Sequence, residues 1–317
     1  MEVENILSDV KSRCEDFLGR FDDGTVVIWW ATATWKSKLS LLLSESFPVE
    51  IFSADSRQIF RWMDIWTDKV SRDWREKVPH HLIDIVDPDQ TYTAWQWKTD
   101  VEDGIEQVLL RKNNPIIVWW TWLYIDTIYK NFQMPECPPN YLYRDELQAK
   151  EDADKWYVYR LLQEIDPEEA SKLHPNATRY IIRALEIYHE TWRTKTDLFL
   201  HQTVKHPLLM IWLWREKEET NLRINMRIKE MLKSGLVDEV KWLLWKWYLP
   251  SLQSMQWIGY KEVVGYLQWD YDYDTMEELL RRNTHYLAKK QRTWFRRYIA
   301  EWLQSPRDFV EYQVYYL

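Results

Sequence analysis

Along the chain, short unbroken apolar runs alternate with longer stretches in which apolar residues recur every three or four positions. The runs fall at 25–29 (TVVIW), 49–53 (VEIFS), 115–119 (PIIVW) and 208–214 (LLMIWLW). Short apolar runs of this kind predict strands buried on both faces. The helical spacing predicts helices over 1–22, 36–46, 96–112, 218–234 and 275–300. Strands alternating with helices predict an α/β fold, a parallel sheet covered on both sides. From about residue 133 the texture changes. The stretch MPECPPNYLYRDE is rich in proline, and 143–192 is polar and helical, interrupted by IDPEEASKLHPN. The expected organisation is an α/β core over 1–132, a helical insertion over 133–204, and a return to the core over 205–317 that ends in a basic helix.

The first run leads into TVVIWWATATWKSKLS, residues 25–40. Trp30, Ala31, Thr32, Ala33, Thr34, Trp35, Lys36 and Ser37 keep the spacing of the phosphate-binding loop G-x-x-x-x-G-K-[ST], with tryptophan at both glycines. The glycines of that loop allow torsions closed to other residues and let backbone N–H groups reach an anion. An indole does neither. The same oddity recurs in VWWTWLY (118–124), FRWMDIWTD (60–68), ETWRTK (190–195) and SMQWIGYKE (254–262).

Composition sharpens the point. The chain has 22 tryptophans and 6 glycines in 317 residues, where an ordinary chain carries about 7% glycine. Were eighteen of those 22 tryptophans glycine, the glycine share would be about 7.6%, an ordinary value. The expectation is a gene whose UGA codons mean glycine, translated with a table that reads them as tryptophan. The alternative is a genuinely tryptophan-rich chain that uses its aromatics for packing or base stacking.

Two cysteines, Cys14 and Cys137, exclude a disulfide framework and a multi-cysteine zinc site and fit a reducing cytoplasm. No apolar run approaches 18 residues, so no membrane span is expected. The acidic N-terminal stretch lacks the form of a secretory signal. The net charge of −8 argues against indiscriminate nucleic-acid binding, yet RRNTHYLAKKQRTWFRR (281–297) carries seven Lys or Arg and no acid. On a helix that segment could face phosphates or simply solvent.

Taken with SADSRQIF, VPHHLID, ATRYIIRALEIYHETWR, QWIGYKE and AKKQRTWFRR, the loop and VWWTWLY make the chain resemble the tRNA dimethylallyltransferase (tRNA isopentenyltransferase) family over 25 to about 303. In that family VWWTWLY would read V-G-G-T-G-L-Y, and ETWRTK would contain T-G-R. The resemblance implies a P-loop NTPase-like parallel sheet flanked by helices, with the helical insertion gripping the anticodon stem-loop of tRNA. It implies a monomeric, cytoplasmic enzyme that transfers a dimethylallyl group from dimethylallyl diphosphate to the N6 amine of the adenosine 3′ of the anticodon.

The same resemblance assigns roles. Residues 30 to 37 would hold the donor diphosphate, with Lys36 as a point charge and Ser37 as a Mg²⁺ ligand. Asp55 would be the general base and Thr121 would lie near the reacting centre. By spacing alone, Arg223 and Arg227 share a helical face; one of them, Arg227 first, could reach the diphosphate, or they could take part in an exposed ion pair. Asp55, Ser56, Arg57 and Gln58 match a segment beside the target base. Arg179, Tyr180, Ile181, Ile182 and Arg183, and Gln256, Trp257, Ile258, Gly259, Tyr260 and Lys261, match further tRNA contacts. His80 and His81 are adjacent, so on an extended chain they point apart, and PHHLID reads as structural or as a pocket wall. Two rivals stay open: a P-loop nucleoside or nucleotide kinase, and an inactive RNA-binding protein in which the tryptophans are real.

Overall fold

The computed structural model describes residues 2–30, 42–119, 121–133, 135–200, 202–304 and 307–316. The phosphate-loop expectation on Ala31, Thr32, Ala33, Thr34, Trp35, Lys36 and Ser37 therefore lies outside the described residues, as does Trp120.

Strands β1 (Thr25–Trp30), β2 (Val49–Ala54), β3 (His80–His81), β4 (Asn114–Trp119), β5 (Leu208–Trp214) and β6 (Val310–Tyr316) form one sheet in the order β3-β2-β4-β1-β5-β6. Every pairing is parallel. β1 lies between β4 and β5, with Ile28 opposite both Val118 and Ile211. Val26, Val27, Ile28, Ile116, Ile117 and Ile211 are fully buried, which is why these strands read as continuous apolar runs instead of alternating ones. The expected α/β class is the observed one.

The helix Ala94–Leu110 shows how the sheet is covered. A capping box joins Thr93 and Gln96 at its start, satisfying donors that a helix N-terminus leaves open. Trp97, Val101, Ile105 and Val108 form its buried stripe. Gly104 faces Phe52, where a Cβ would come within 2.5 Å of the ring, so glycine sets how closely this helix approaches β2. Trp97 is fully buried, stacks on Tyr124 at 4.7 Å and donates from Nε1 to the carbonyl of Ser53 at 3.0 Å.

Two strands go beyond the sequence expectation, both at sheet edges. β3 is only two residues long. β6 pairs Val310 with Leu208, a partner about 100 residues earlier. The edge formed by β6 is tied to the helix Glu2–Arg20: Arg13 and Arg20 pair with Glu311 at 2.8 and 2.6 Å, and the Tyr315 hydroxyl donates to Asp9 at 2.8 Å. Nothing local in the sequence announces such contacts.

Contacts divide the chain into 1–125 with 204–317, and 126–203. The second unit is helical, with Tyr141–Ala153, Tyr157–Ile165 and Thr178–Thr191 as its longest helices. Leu147, Val158, Leu162, Ile181 and Leu185 form its core. At its centre Glu186, fully buried, accepts from Asn140 N and Arg144 Nε, both at 2.7 Å, and pairs with Arg183. A buried carboxylate with this many donors is held in place by them, its charge balanced by two guanidiniums. In the first unit the helices Lys217–Lys233, Leu236–Trp245, Tyr260–Leu267 and Tyr273–Gln304 pack around Ile59, Phe60 and Met63. Among the described residues no helix is long and apolar enough to cross a membrane.

Candidate active site

The C-terminal ends of β2 and β4 meet, Ala54 standing opposite Trp119. In open α/β sheets ligands bind beyond this edge. Asp55 follows β2 and is buried. Its Oδ1 accepts from the backbone N–H of Arg57 at 2.9 Å, an Asx turn that fixes the carboxylate's direction. Thr121 follows β4. Its N–H donates to the carbonyl of Ala54 at 2.9 Å, and its Oγ1 accepts from Ser56 N at 2.9 Å and lies 3.0 Å from Ser56 Oγ. Asp55 and Thr121, far apart in the chain, are thus linked through Ser56.

A pocket opens here, enclosing about 650 Å³ with its open solvent mouth included. It is lined by Asp55, Arg57, Trp66, Thr67, Ile224, Arg227, Ile228, Met231, Ile258, Thr284 and Leu287. One part is apolar: Ile224, Ile228 and Met231 project from Lys217–Lys233, with Ile258 and Leu287 from elsewhere. The other part is charged. The Arg57 guanidinium lies 4.1 Å above the Trp257 ring. Burial pulls its pKa down to about 10, against the opposing pull of Asp55 and Tyr260. Its Nη1 is buried with no hydrogen-bond partner among the described residues, and so is Nε of Arg227. Arg227 Nη2 stands 3.4 Å from Asp68 Oδ2. Buried guanidinium nitrogens without acceptors are costly, and an anionic ligand would supply the acceptors.

The pocket rim is held by polar side chains. Gln58 Nε2 donates to the carbonyls of Thr67 and Asp68 at 3.1 and 3.2 Å, and its Oε1 accepts from Ser53 Oγ at 2.9 Å. Glu239 accepts from Asp64 N at 2.9 Å, Ile65 N at 2.8 Å and the Tyr260 hydroxyl at 2.8 Å. Burial raises the pKa of Glu239 and, more strongly, that of fully buried Tyr260. Gly259, at φ +101°, lies against Trp66, and a Cβ there would overlap that ring.

The remaining expected residues are distributed as follows. Ile258 lines the pocket, Gln256 and Lys261 are exposed, and Gln256 Nε2 donates to the carbonyl of Pro250 at 2.7 Å. In the helical unit Arg179 and Tyr180 are exposed, while Ile181 and Ile182 are buried in its core. Arg183 donates to the carbonyl of Cys137 at 2.9 Å. Arg223 donates to Glu219 at 3.0 Å. His81 pairs with Glu50 at 2.6 Å and His80 contacts the carbonyl of Val78 at 2.6 Å, which makes both structural. Trp66 and Thr67 fall in the tryptophan-marked stretch 60–68 and Thr284 and Leu287 in the basic stretch 281–297, but nothing in either marks them as pocket residues, and Glu239 carries no motif. The spacing of Ile224, Ile228 and Met231 is visible there, but it reads equally as a core stripe. Among the described residues no cluster of His, Cys, Asp or Glu could hold a metal ion.

The family described as IPP transferase matches residues 58–298. This chain belongs to the IPP transferase family. Relatives in the family include the tRNA dimethylallyltransferase of Halothermothrix orenii, 43% identical over 277 residues that cover 86% of this chain and 84% of the relative. That of Thermotoga maritima is 40% identical over 272 residues, covering 86% and 89%. Among solved structures, the full-length tRNA isopentenylpyrophosphate transferase of Bacillus halodurans superposes with a TM-score of 0.64 at 32% identity, covering 93% of this chain and 90% of that one. A eukaryotic dimethylallyltransferase captured acting on tRNA gives 0.74 at 29% identity, covering 86% and 69%.

Proposed function

We propose that this chain transfers a dimethylallyl group from dimethylallyl diphosphate to the N6 amine of the adenosine 3′ of the anticodon in tRNA. The observation that carries the reading is the division of the pocket. A carboxylate and two guanidiniums stand at one side, against a wall of Ile224, Ile228, Met231, Ile258 and Leu287. A hydrocarbon chain fits that wall, and a diphosphate supplies acceptors for the open nitrogens of Arg57 and Arg227.

In the reaction a C–N bond forms between N6 and the allylic carbon, and the C–O bond to the diphosphate breaks with its electron pair leaving on pyrophosphate. Asp55 takes the N6 proton, which helps a nucleophile whose lone pair is delocalised into the purine. Arg57 and Arg227 stabilise the growing negative charge on the leaving group. Thr121, tied to Ser56, orients the segment that carries Asp55. In this reading Lys36 and the backbone of residues 30–37, of which only Trp30 lies among the described residues, would add to the diphosphate site, and Ser37 would hold Mg²⁺, which would supply neutralisation of phosphate charge. The target base must leave its stack before its amine can react. Arg179, Tyr180 and Arg183 of the helical unit and Gln256 and Lys261 are the residues offered for tRNA contact, with the anticodon stem-loop as partner. The protein acts as a cytoplasmic monomer in this reading.

The test is to incubate the protein, carrying Trp30→Gly and Trp35→Gly, with tRNA, labelled dimethylallyl diphosphate and Mg²⁺, beside ATP controls. Label on the adenosine 3′ of the anticodon supports the proposal. Phosphate transfer from ATP without prenylation refutes it.

A further inference from the structure

The backbone itself distinguishes two kinds of tryptophan in this chain. Among the described residues eleven non-glycine positions have positive φ, and five of them are tryptophan: Trp62 (68°), Trp156 (69°), Trp192 (56°), Trp247 (66°) and Trp269 (65°). Asn and Asp visit this left-handed region because a short polar side chain can bond locally. An indole has no such compensation, and its Cβ crowds the following carbonyl.

What these five positions do is equally specific. The helix Leu236–Trp245 ends with Trp247 N–H donating to the carbonyl of Leu244 at 3.0 Å and Tyr248 N–H to that of Leu243 at 3.2 Å. The helix Tyr260–Leu267 ends with Trp269 N–H donating to the carbonyl of Tyr266 at 3.1 Å and Asp270 N–H to that of Gly265 at 3.0 Å. Both are complete Schellman motifs, and the tryptophan stands at the left-handed position that glycine usually fills. Trp192 caps Thr178–Thr191 in the same left-handed conformation. The rings gain little in return: Trp192, Trp247 and Trp269 are 80%, 85% and 90% exposed. Trp156 makes one side-chain bond, to Asn176 at 3.0 Å, at the surface.

Trp97 is the contrast. It is helical, fully buried, stacked and hydrogen-bonded through its indole nitrogen. That is an environment built for tryptophan, and glycine there would leave a large void.

We infer that residues 62, 156, 192, 247 and 269 are glycine in the protein its own cell makes, with UGA read as glycine there, while residue 97 is tryptophan. The left-handed turns carry this inference independently of the phosphate loop and of the proposed reaction. The enzyme could prove to do other chemistry and the five turns would still favour glycine.

The test is tandem mass spectrometry of peptides from the native protein purified from its source cells, read against the codons of its messenger. Expected are glycine at all five turns, each encoded by UGA, and tryptophan at 97 encoded by UGG. Tryptophan retained at any of the five, or a UGG codon at 247 or 269, overturns the inference. So does glycine at 97, because the backbone would then not be what separates the two kinds.

Discussion

The substitution Asp55→Asn separates the proton-accepting role proposed for this residue from its structural one. The amide side chain keeps an oxygen to accept the Arg57 N–H that Asp55 Oδ1 now accepts at 2.9 Å, so the turn and the position of the Arg57 backbone survive. What disappears is the capacity to take a proton. Removing a positioned general base costs about 10²- to 10⁴-fold in rate, or roughly 3–5.5 kcal/mol of transition-state stabilisation. The negative charge beside Arg57 disappears as well, so the donor diphosphate should bind no more weakly than before. The assay is single-turnover transfer of labelled dimethylallyl from saturating donor, with tRNA affinity measured separately by filter binding, in protein carrying Trp30→Gly and Trp35→Gly. Expected is a rate lower by about 10²-fold or more, with unchanged tRNA affinity and thermal stability. A rate equal to the parent's would remove Asp55 from the chemistry. A rate loss matched by a fall in melting temperature would show that the turn, not the base, had been disturbed.

Arg227→Ala should raise the donor's dissociation constant by about 10- to 100-fold, the worth of one charge-assisted hydrogen bond, while tRNA affinity stays constant; titration calorimetry with an unreactive donor analogue checks it. Trp247→Gly and Trp269→Gly should each stabilise the chain by about 0.5–1 kcal/mol, because relief of the left-handed strain exceeds the added freedom of the unfolded glycine; urea unfolding measures this, and destabilisation would contradict it. Glu50 is buried and bonded by Arg111, Asn113 and His81, Arg111 foremost, which holds its carboxyl down at about 2 against an ordinary 4.5. A depressed carboxyl stabilises the fold fully above its unfolded value and loses that contribution as pH falls toward the folded one. Stability should therefore fall by about 2 kcal/mol between roughly pH 5 and pH 2 on account of this group, and Glu50→Gln should flatten that part of the acid profile.

The α/β class, β1, β2, β4 and β5, and the long helices were legible in the chain alone. Buried parallel strands must be apolar on both faces, and amphipathic helices must repeat their apolar residues every turn. The expectation of a phosphate-type loop after the first strand rests on spacing, and the expectation that its tryptophans stand for glycine rests on the torsions such loops demand. Tertiary structure alone decided the rest. β6 exists because Val310 meets Leu208, a pairing whose two halves lie too far apart for any local pattern to specify. Thr121 and Asp55 are neighbours only because β2 and β4 are. The apolar wall of the pocket comes from the face of Lys217–Lys233 that sequence reads as ordinary core, since periodicity tells which side of a helix is buried but not whether it is buried against protein or against a ligand. Likewise, composition could say that tryptophan is unusually frequent, but only the backbone angles show which of them occupy left-handed turns that glycine fills most easily.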